Sequence, residues 1–254
     1  MEYYGKLSTL MYDLDKPQVP QNELDFYLGY VRKTQKATLE VMCGSGRFLI
    51  PMLRMGYQVE GLDNSKDMLN ACLEKCKKEG LTPVLYEQAA AQMELSKSYE
   101  LILVPAASFG LITDRNEVLE SLTKINEHLL PGGTLVFEVE TPNSQPQRSG
   151  IWDGKWFTKM SDNELIVQSG ISKPYDHQKK IVNYLIRYEH IKKGKLIDTE
   201  FQEFNLRLYE KEEIYILLEE SGFVDAQCFK AFTRSAPDRK DAELTFECRR
   251  PLGH

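Results

Sequence analysis

Short apolar runs alternate with amphipathic stretches through the first 140 residues. Ala37 to Met42 reads as a buried strand, with Leu39 and Val41 flanking Glu40, and a Gly-containing turn leads into the apolar stretch Phe48 to Met55. Gln58 to Asp63 reads as a second strand. Ser65 stands where a helix from Lys66 to about Lys78 needs its cap, and Gly80 where that helix needs its end. Thr82 to Glu87 is a third strand. Leu101-Ile102-Leu103-Val104 is a fourth, apolar throughout, as a central parallel strand covered on both faces must be. Val118, Leu122, Ile125 and Leu129 recur at spacings of four, three and four, which predicts a helix from about Arg115 to Leu129. Pro131-Gly132-Gly133 stops it, and Thr134 to Val139 is the fifth strand. Strands separated by helices imply βαβ units, and so an α/β fold with a doubly wound, mostly parallel sheet.

The pattern then changes. Thr141 to Gly150 is rich in Pro, Ser, Gln and Gly and reads as a connection. Strand-like runs follow at Glu164 to Ser169, Ile181 to Ile191 and Leu196 to Leu208, the last two joined by Lys192-Lys193-Gly194-Lys195 as a hairpin loop. This predicts an antiparallel β insertion over residues 151–209. An amphipathic helix with Ile214, Leu217 and Leu218 resumes the first pattern and ends at Ser221-Gly222, before strands near Ala226 to Phe232 and Glu243 to Arg249. The predicted core is therefore residues 1–140, including a short N-terminal helix, together with 210–254.

Composition narrows the functional classes. The 254 residues carry 32 Lys and Arg against 38 Asp and Glu, a net charge of −6, which gives no general attraction to phosphate backbones or anionic lipid. No nucleic acid and no membrane partner is expected. Five cysteines without a Cys-x-x-Cys pair, and without neighbouring histidines, argue for reduced thiols and no metal site. The first ten residues lack the basic start and apolar run of a signal peptide, so the cytoplasm is the expected location.

The informative segment is Leu39-Glu40-Val41-Met42-Cys43-Gly44-Ser45-Gly46-Arg47-Phe48, a strand entering a turn with glycines two apart and then a helix. Such glycines let backbone approach a ligand closely. Asp63 ends the next strand 19 residues after Gly44, where a doubly wound sheet sets a carboxylate beside a bound ribose. A dinucleotide fingerprint needs a third glycine, and Leu49 occupies that position. The remaining candidate, S-adenosylmethionine, has a ribose and an amino-acid end but no phosphate.

The same residues resemble the first motif of the class I S-adenosylmethionine-dependent methyltransferases, and Gly61 to Leu69 resembles their second. Glu87 to Met93 occupies the family's adenine-binding region, Tyr99 to Ile102 looks like its fourth strand, and Leu129 to Gly133 matches its approach to strand five. The resemblance covers residues 37–139 and the closing helix and strand. It implies a Rossmann-like, seven-stranded sheet and S-adenosyl-L-methionine as cofactor. Carried over by position, Glu40 orients the loop and the cofactor amino group, and Gly44 and Gly46 lie against its amino-acid portion. Asp63 accepts from the ribose hydroxyls, Asn64 and Met68 line the adenine, and the Ala90 backbone meets the adenine edge. Tyr12 resembles an N-terminal tyrosine that closes over the cofactor, and Pro105 follows strand four. Two positions depart from the family pattern. Met42 stands in place of its first glycine, and Ala89 in place of an acidic acceptor for the adenine amine, a role left to Gln92.

After strand four, Val104-Pro105-Ala106-Ala107-Ser108-Phe109 lacks the motif of DNA amino-methylating enzymes, and no Pro-Cys dipeptide provides the cytosine C5 nucleophile. The plan is similar to small-molecule N-methyltransferases acting on glycine, sarcosine or amino sugars. It implies methyl transfer to nitrogen or oxygen of a small molecule, the alternative being a catalytically inactive cofactor-binding regulatory or partner protein. Ser108, Trp152, Tyr184 and His190 are the candidate substrate contacts, and no residue is assigned as catalytic base. A ribbon emerging after strand five rises on the ligand side of the sheet, as a substrate lid. Its exposed edges also allow a homodimer interface.

Overall fold

The structure, a computed structural model, describes residues 4–253, with the backbone alone for 154–159. Seven strands form one sheet: β1 (Thr38–Val41), β2 (Val59–Asp63), β3 (Leu85–Glu87), β4 (Tyr99–Val104), β5 (Leu129–Glu140), β10 (Val224–Lys230) and β11 (Glu243–Arg249). Their order is β10-β11-β5-β4-β1-β2-β3, parallel from β5 through β3, with β11 antiparallel to both β5 and β10. This is the doubly wound, seven-stranded Rossmann-like sheet that the sequence predicts.

Apolar side chains leave both faces of the sheet. One face packs Leu39, Ile102 and Phe137 against α5 (Arg115–His128) and α6 (Lys211–Glu220). The other packs Leu101, Leu103 and Val136 against α2 (Gln21–Val31), α3 (Leu49–Arg54) and α4 (Lys66–Lys78). The Ser65 hydroxyl caps α4 by accepting the Met68 amide hydrogen at 3.2 Å.

Several expectations need correcting. Two N-terminal helices are present, α1 (Lys6–Asp15) and α2, where the sequence reading gave one. Strand β3 starts at Leu85, three residues after Thr82. Pro131-Gly132-Gly133 lies inside β5: pairing with β4 begins at Tyr99↔Leu129 and resumes at Leu101↔Thr134, so the irregular register absorbs the Pro-Gly-Gly segment. The insertion has four strands: β6 (Asp153–Ser161), β7 (Glu164–Ser172), β8 (Ile181–Lys192) and β9 (Lys195–Arg207), paired in sequence order. The first was not foreseen because its sequence lacks clean alternation. The β8–β9 turn is only Lys193-Gly194, both with positive φ (51° and 71°), the two-residue hairpin geometry that suits strand twist.

Helix α1 lies between the two sheets. Leu7 and Met11 pack on Ile166 and Tyr188 of the insertion. On its other side, Asp13 accepts from Ser45 Oγ at 2.5 Å and from Lys75 Nζ at 2.7 Å.

Candidate functional site

Strands β1, β2 and β4 end at one edge of the sheet, and the loops that follow them enclose a cavity of about 300 Å³. Its base is formed by Glu40, Met42, Gly44, Asp63, Asn64 and Met68, and Pro105 and Ser108 lie across from them. Tyr4 and Tyr12 also line it. Nine residues singled out from the sequence thus meet in one place: Tyr12, Glu40, Met42, Gly44, Asp63, Asn64, Met68, Pro105 and Ser108.

Asp63 builds the turn as well as facing the cavity. Its Oδ2 accepts the Gly44 amide hydrogen at 2.8 Å and its Oδ1 that of Ser65 at 2.8 Å, tying the loop after β1 to the loop after β2. Burial raises the Asp63 pKa, while the hydrogen bonds from the Ser65, Gly44 and Asn64 amides act in the opposite direction. Gly44 has φ +54°, and the nearest atom to an added Cβ is Met68 Sδ at 3.7 Å, so its cavity side is open. Met42 holds φ 60°, which explains why glycine is favoured at that position in the family motif.

Glu40 is 1% exposed, and its Oε2 has no hydrogen-bond partner among the described residues. Burial pushes its pKa up to about 8, with Arg47 lowering it and Asp63 raising it. The Arg47 Nε is likewise buried without a partner, and its guanidinium lies over the rings of Phe48 and Tyr12 at 5.1 and 5.9 Å. Two unsatisfied polar atoms, one on an acid and one on a cation, therefore belong to neighbouring residues of the same cavity wall. Isolated burial of such groups is costly, so the pair implies a ligand of matching polarity.

A second cavity of about 470 Å³ adjoins the first and shares Tyr4, Tyr12, Arg47, Ala106, Ser108 and Leu111 with it. Its far wall includes Phe204 and Leu206 of β9, Phe232, and the carboxylates of Glu23, Glu140 and Glu243. Glu140 and Glu243 are directly paired across β5 and β11. None of the three carboxylates has a side-chain hydrogen bond or ion pair among the described residues. Burial, then the charges of Glu140 and Glu23, push Glu243 up to about 7. Among the described residues, no three His, Cys, Asp or Glu side chains are grouped to hold a metal ion.

Other sequence candidates lie elsewhere. Gly46 is packed inward: an added Cβ would stand 2.6 Å from Cys72 Sγ. Ala90 is buried in the core, Ala89 is half-buried, and Gln92 is exposed in a short 3-10 turn, none of them on either cavity. Trp152 is 40% exposed and packs under the Arg187 guanidinium, 5.3 Å from the ring centroid. Tyr184 touches Phe204 edge-on but faces a groove of the insertion. His190 pairs with Glu164 Oε1 at 2.7 Å. The sequence reading missed Tyr4, Arg47 and the three glutamates. Glu140 at the end of β5 and Glu243 at the start of β11 were findable as charged residues bounding buried strands at the ligand edge.

Residues 38–133, which run from β1 into β5, match a family model described as a methyltransferase domain. The chain is 23% identical over 219 residues, 85% of each sequence, to a protein of Geobacillus sp. (strain WCH70) that carries a methyltransferase name. In structure it is similar to an S-adenosylmethionine-dependent methyltransferase from Clostridium acetobutylicum (TM-score 0.78, 18% identity, 98% of each chain). It is also similar to the sugar N-methyltransferase KedS8 from Streptoalloteichus sp. (TM-score 0.77, 16% identity, 99% of this chain and 95% of that one). At these identities the structural likeness speaks for the fold, while the family match falls on the segment that builds the first cavity. Residues 38–133 thus match a methyltransferase domain, and the chain as a whole has the fold of S-adenosylmethionine-dependent methyltransferases.

Proposed function

We propose that this methyltransferase acts on a small amine, held as an ammonium ion in the second cavity and methylated at nitrogen. The observation that carries the reading is the trio Glu23, Glu140 and Glu243, which outnumbers the cations Lys16 and Arg47 in the wall of the second cavity and, among the described residues, holds no direct ion pair with them. Three carboxylates against two cations on the same wall, Lys16 and Arg47, leave an excess of negative charge that favours a positively charged guest, and the rings of Phe204 and Phe232 add cation–π and apolar contact. The sugar N-methyltransferase among the structural relatives agrees with this reading.

The first cavity fits the cofactor. The unpartnered Glu40 oxygen and Arg47 nitrogen match the ammonium and carboxylate of an amino-acid end, and Asp63 keeps acceptor capacity for a ribose diol after taking two amides. S-adenosylmethionine, when bound, supplies an electrophilic sulfonium methyl group. The chain's own groups then have three tasks. Glu140 and Glu23 hold the ammonium, Glu243 takes its proton so that the nitrogen lone pair is free, and Phe204 and Leu206 of the insertion exclude water. The insertion, residues 151–209, acts in this way as a lid.

A panel of primary amines, secondary amines and alcohols, incubated with S-adenosylmethionine and read by product mass, tests the reading. Amines gaining one methyl group are expected. Alcohols alone gaining it would refute nitrogen as acceptor, and cofactor binding without any transfer would favour a regulatory protein.

A further inference from the structure

Four residues in the wall of the second cavity, Tyr4, Ala106, Ala107 and Phe232, hold backbone conformations that L residues rarely adopt, and two of them share a tie: Ala106 at φ 62° and Phe232 at φ 55°. For a bulky side chain such as Phe this is a genuine outlier, and it persists only where the surroundings over-determine it. Both amide hydrogens end on one buried network. Ala106 N–H donates to Glu138 Oε2 at 3.1 Å, and Phe232 N–H donates to Thr245 Oγ1 at 3.1 Å. The Thr245 hydroxyl in turn lies 3.5 Å from Glu138 Oε1, and the Tyr27 hydroxyl of α2 donates to Glu138 Oε2.

Glu138, Tyr27 and Thr245 are all 0% exposed. Glu138 sits between Phe137 and Val139 in β5, where an apolar side chain would be far cheaper to bury. A carboxyl group there is tolerated because both oxygens are occupied, and what occupies them is the cavity wall. Ala106 lines both cavities, and Phe232 meets Phe26 and Tyr27 edge-on at centroid distances of 6.2 and 6.4 Å. A shift of either residue therefore changes the space in which acceptor and methyl group meet.

We propose that Glu138 is a positioning residue for methyl transfer, fixing Ala106 directly and Phe232 through Thr245, and with them the shape of the acceptor cavity. This rests on the reading of the second cavity as the acceptor site. Glu138 touches neither cavity itself. Burial holds its carboxyl group well above the usual carboxylate range, so the neutral amide of Glu138→Gln is a close mimic that retains an acceptor oxygen for Ala106.

Amide hydrogen exchange, S-adenosylhomocysteine calorimetry and turnover of an amine from the panel, on the full chain, test this. Glu138→Ala is expected to speed exchange at Ala106 and Phe232 by about tenfold or more beyond any change at core amides. S-adenosylhomocysteine affinity stays within about threefold, while kcat/KM for the amine falls about tenfold, mostly through KM. Glu138→Gln restores both. Thr245→Val, a milder change should Glu138→Ala fail to fold, frees Phe232 and leaves Ala106 protected. Unchanged exchange at both residues, exchange that rises evenly across the core, or no recovery in Glu138→Gln would overturn the proposal. Selective exchange without turnover of any amine would instead sink the acceptor assignment and leave the network standing.

Discussion

Glu200, in β9, the fourth strand of the insertion, accepts the Leu7 amide hydrogen at 2.8 Å and so caps a helix that belongs to the N-terminal segment. Its other oxygen accepts from Ser8 at 3.1 Å. No side chain within α1 does this, so the helix that carries Tyr12 and Asp13 is closed by the insertion. Removing such a cap costs roughly 0.5–2 kcal/mol. Glu200→Ala is expected to loosen α1 selectively: proteolysis within the first twenty residues quickens and S-adenosylhomocysteine binding weakens several-fold, by about 1 kcal/mol. The melting temperature of the core should barely move. Equal protease resistance and equal affinity would contradict the coupling of insertion and helix.

Asp63→Ala removes the acceptor that joins Gly44 to Ser65 and lines the first cavity, where the proposed ribose contact lies. A hydrogen bond to a charged group is worth roughly 1.5–3 kcal/mol. A loss in cofactor affinity of about tenfold to several hundredfold follows at about 1.4 kcal/mol per decade. Asp63→Asn, which keeps one acceptor oxygen, should lose less. Unchanged calorimetric affinity in a folded Asp63→Ala would remove Asp63 from the cofactor site.

Glu40 sets a pH dependence whose sign is fixed by its environment. Burial raises its pKa in the folded chain to about 8 from the 4.5 of a free glutamate, so the folded state favours the protonated form. Stability from this source is fully present below the unfolded value and is lost as pH rises through about 8. Without cofactor, Glu40→Gln should therefore melt higher than the native chain at alkaline pH and similarly at acid pH. Cofactor binding reverses the preference, because an ammonium partner stabilises the carboxylate. Affinity of the native chain for S-adenosylhomocysteine should rise with pH towards 8, with protons released on binding, and Glu40→Gln should lose that slope. A flat profile in the native chain would exclude the pairing.

The legibility of this chain in its sequence follows from where the physical constraint is local. Helix α4 runs over the predicted residues because Ser65, the apolar stripe and Gly80 all act within one segment. The loop from Glu40 to Gly46 is readable for the same reason, since strand, turn and glycines are contiguous. Assignments that depended on distant packing fared differently. Gly46 looks like a second ligand-facing glycine, yet the space it leaves is filled by Cys72 and Ile50. Glu23, Glu140 and Glu243 are separated by more than a hundred residues in sequence, and only the β5–β11 register and the position of α2 bring them to one cavity. His190 looks like chemistry and is held by a cross-strand carboxylate instead.

Glu243 gives the proposed reaction its pH signature. It is pushed up to about 7, first by burial and then by Glu140 and Glu23, so it is ionised above neutrality and able to take a proton there. For an amine acceptor, kcat/KM should rise with pH through about 7. Glu243→Gln should flatten this limb and lower the rate about a hundredfold, the low end of what a positioned proton acceptor contributes. An unchanged profile in the variant would assign the proton to another group.

The central claim concerns which atom receives the methyl group, and an amino alcohol presents both choices in one molecule. With 13C-methyl S-adenosylmethionine and an amino alcohol that the enzyme turns over, NMR of the product reports the labelled carbon directly. The arrangement of Glu23, Glu140 and Glu243 predicts the label on nitrogen. Label on oxygen, with the amine untouched, would contradict it.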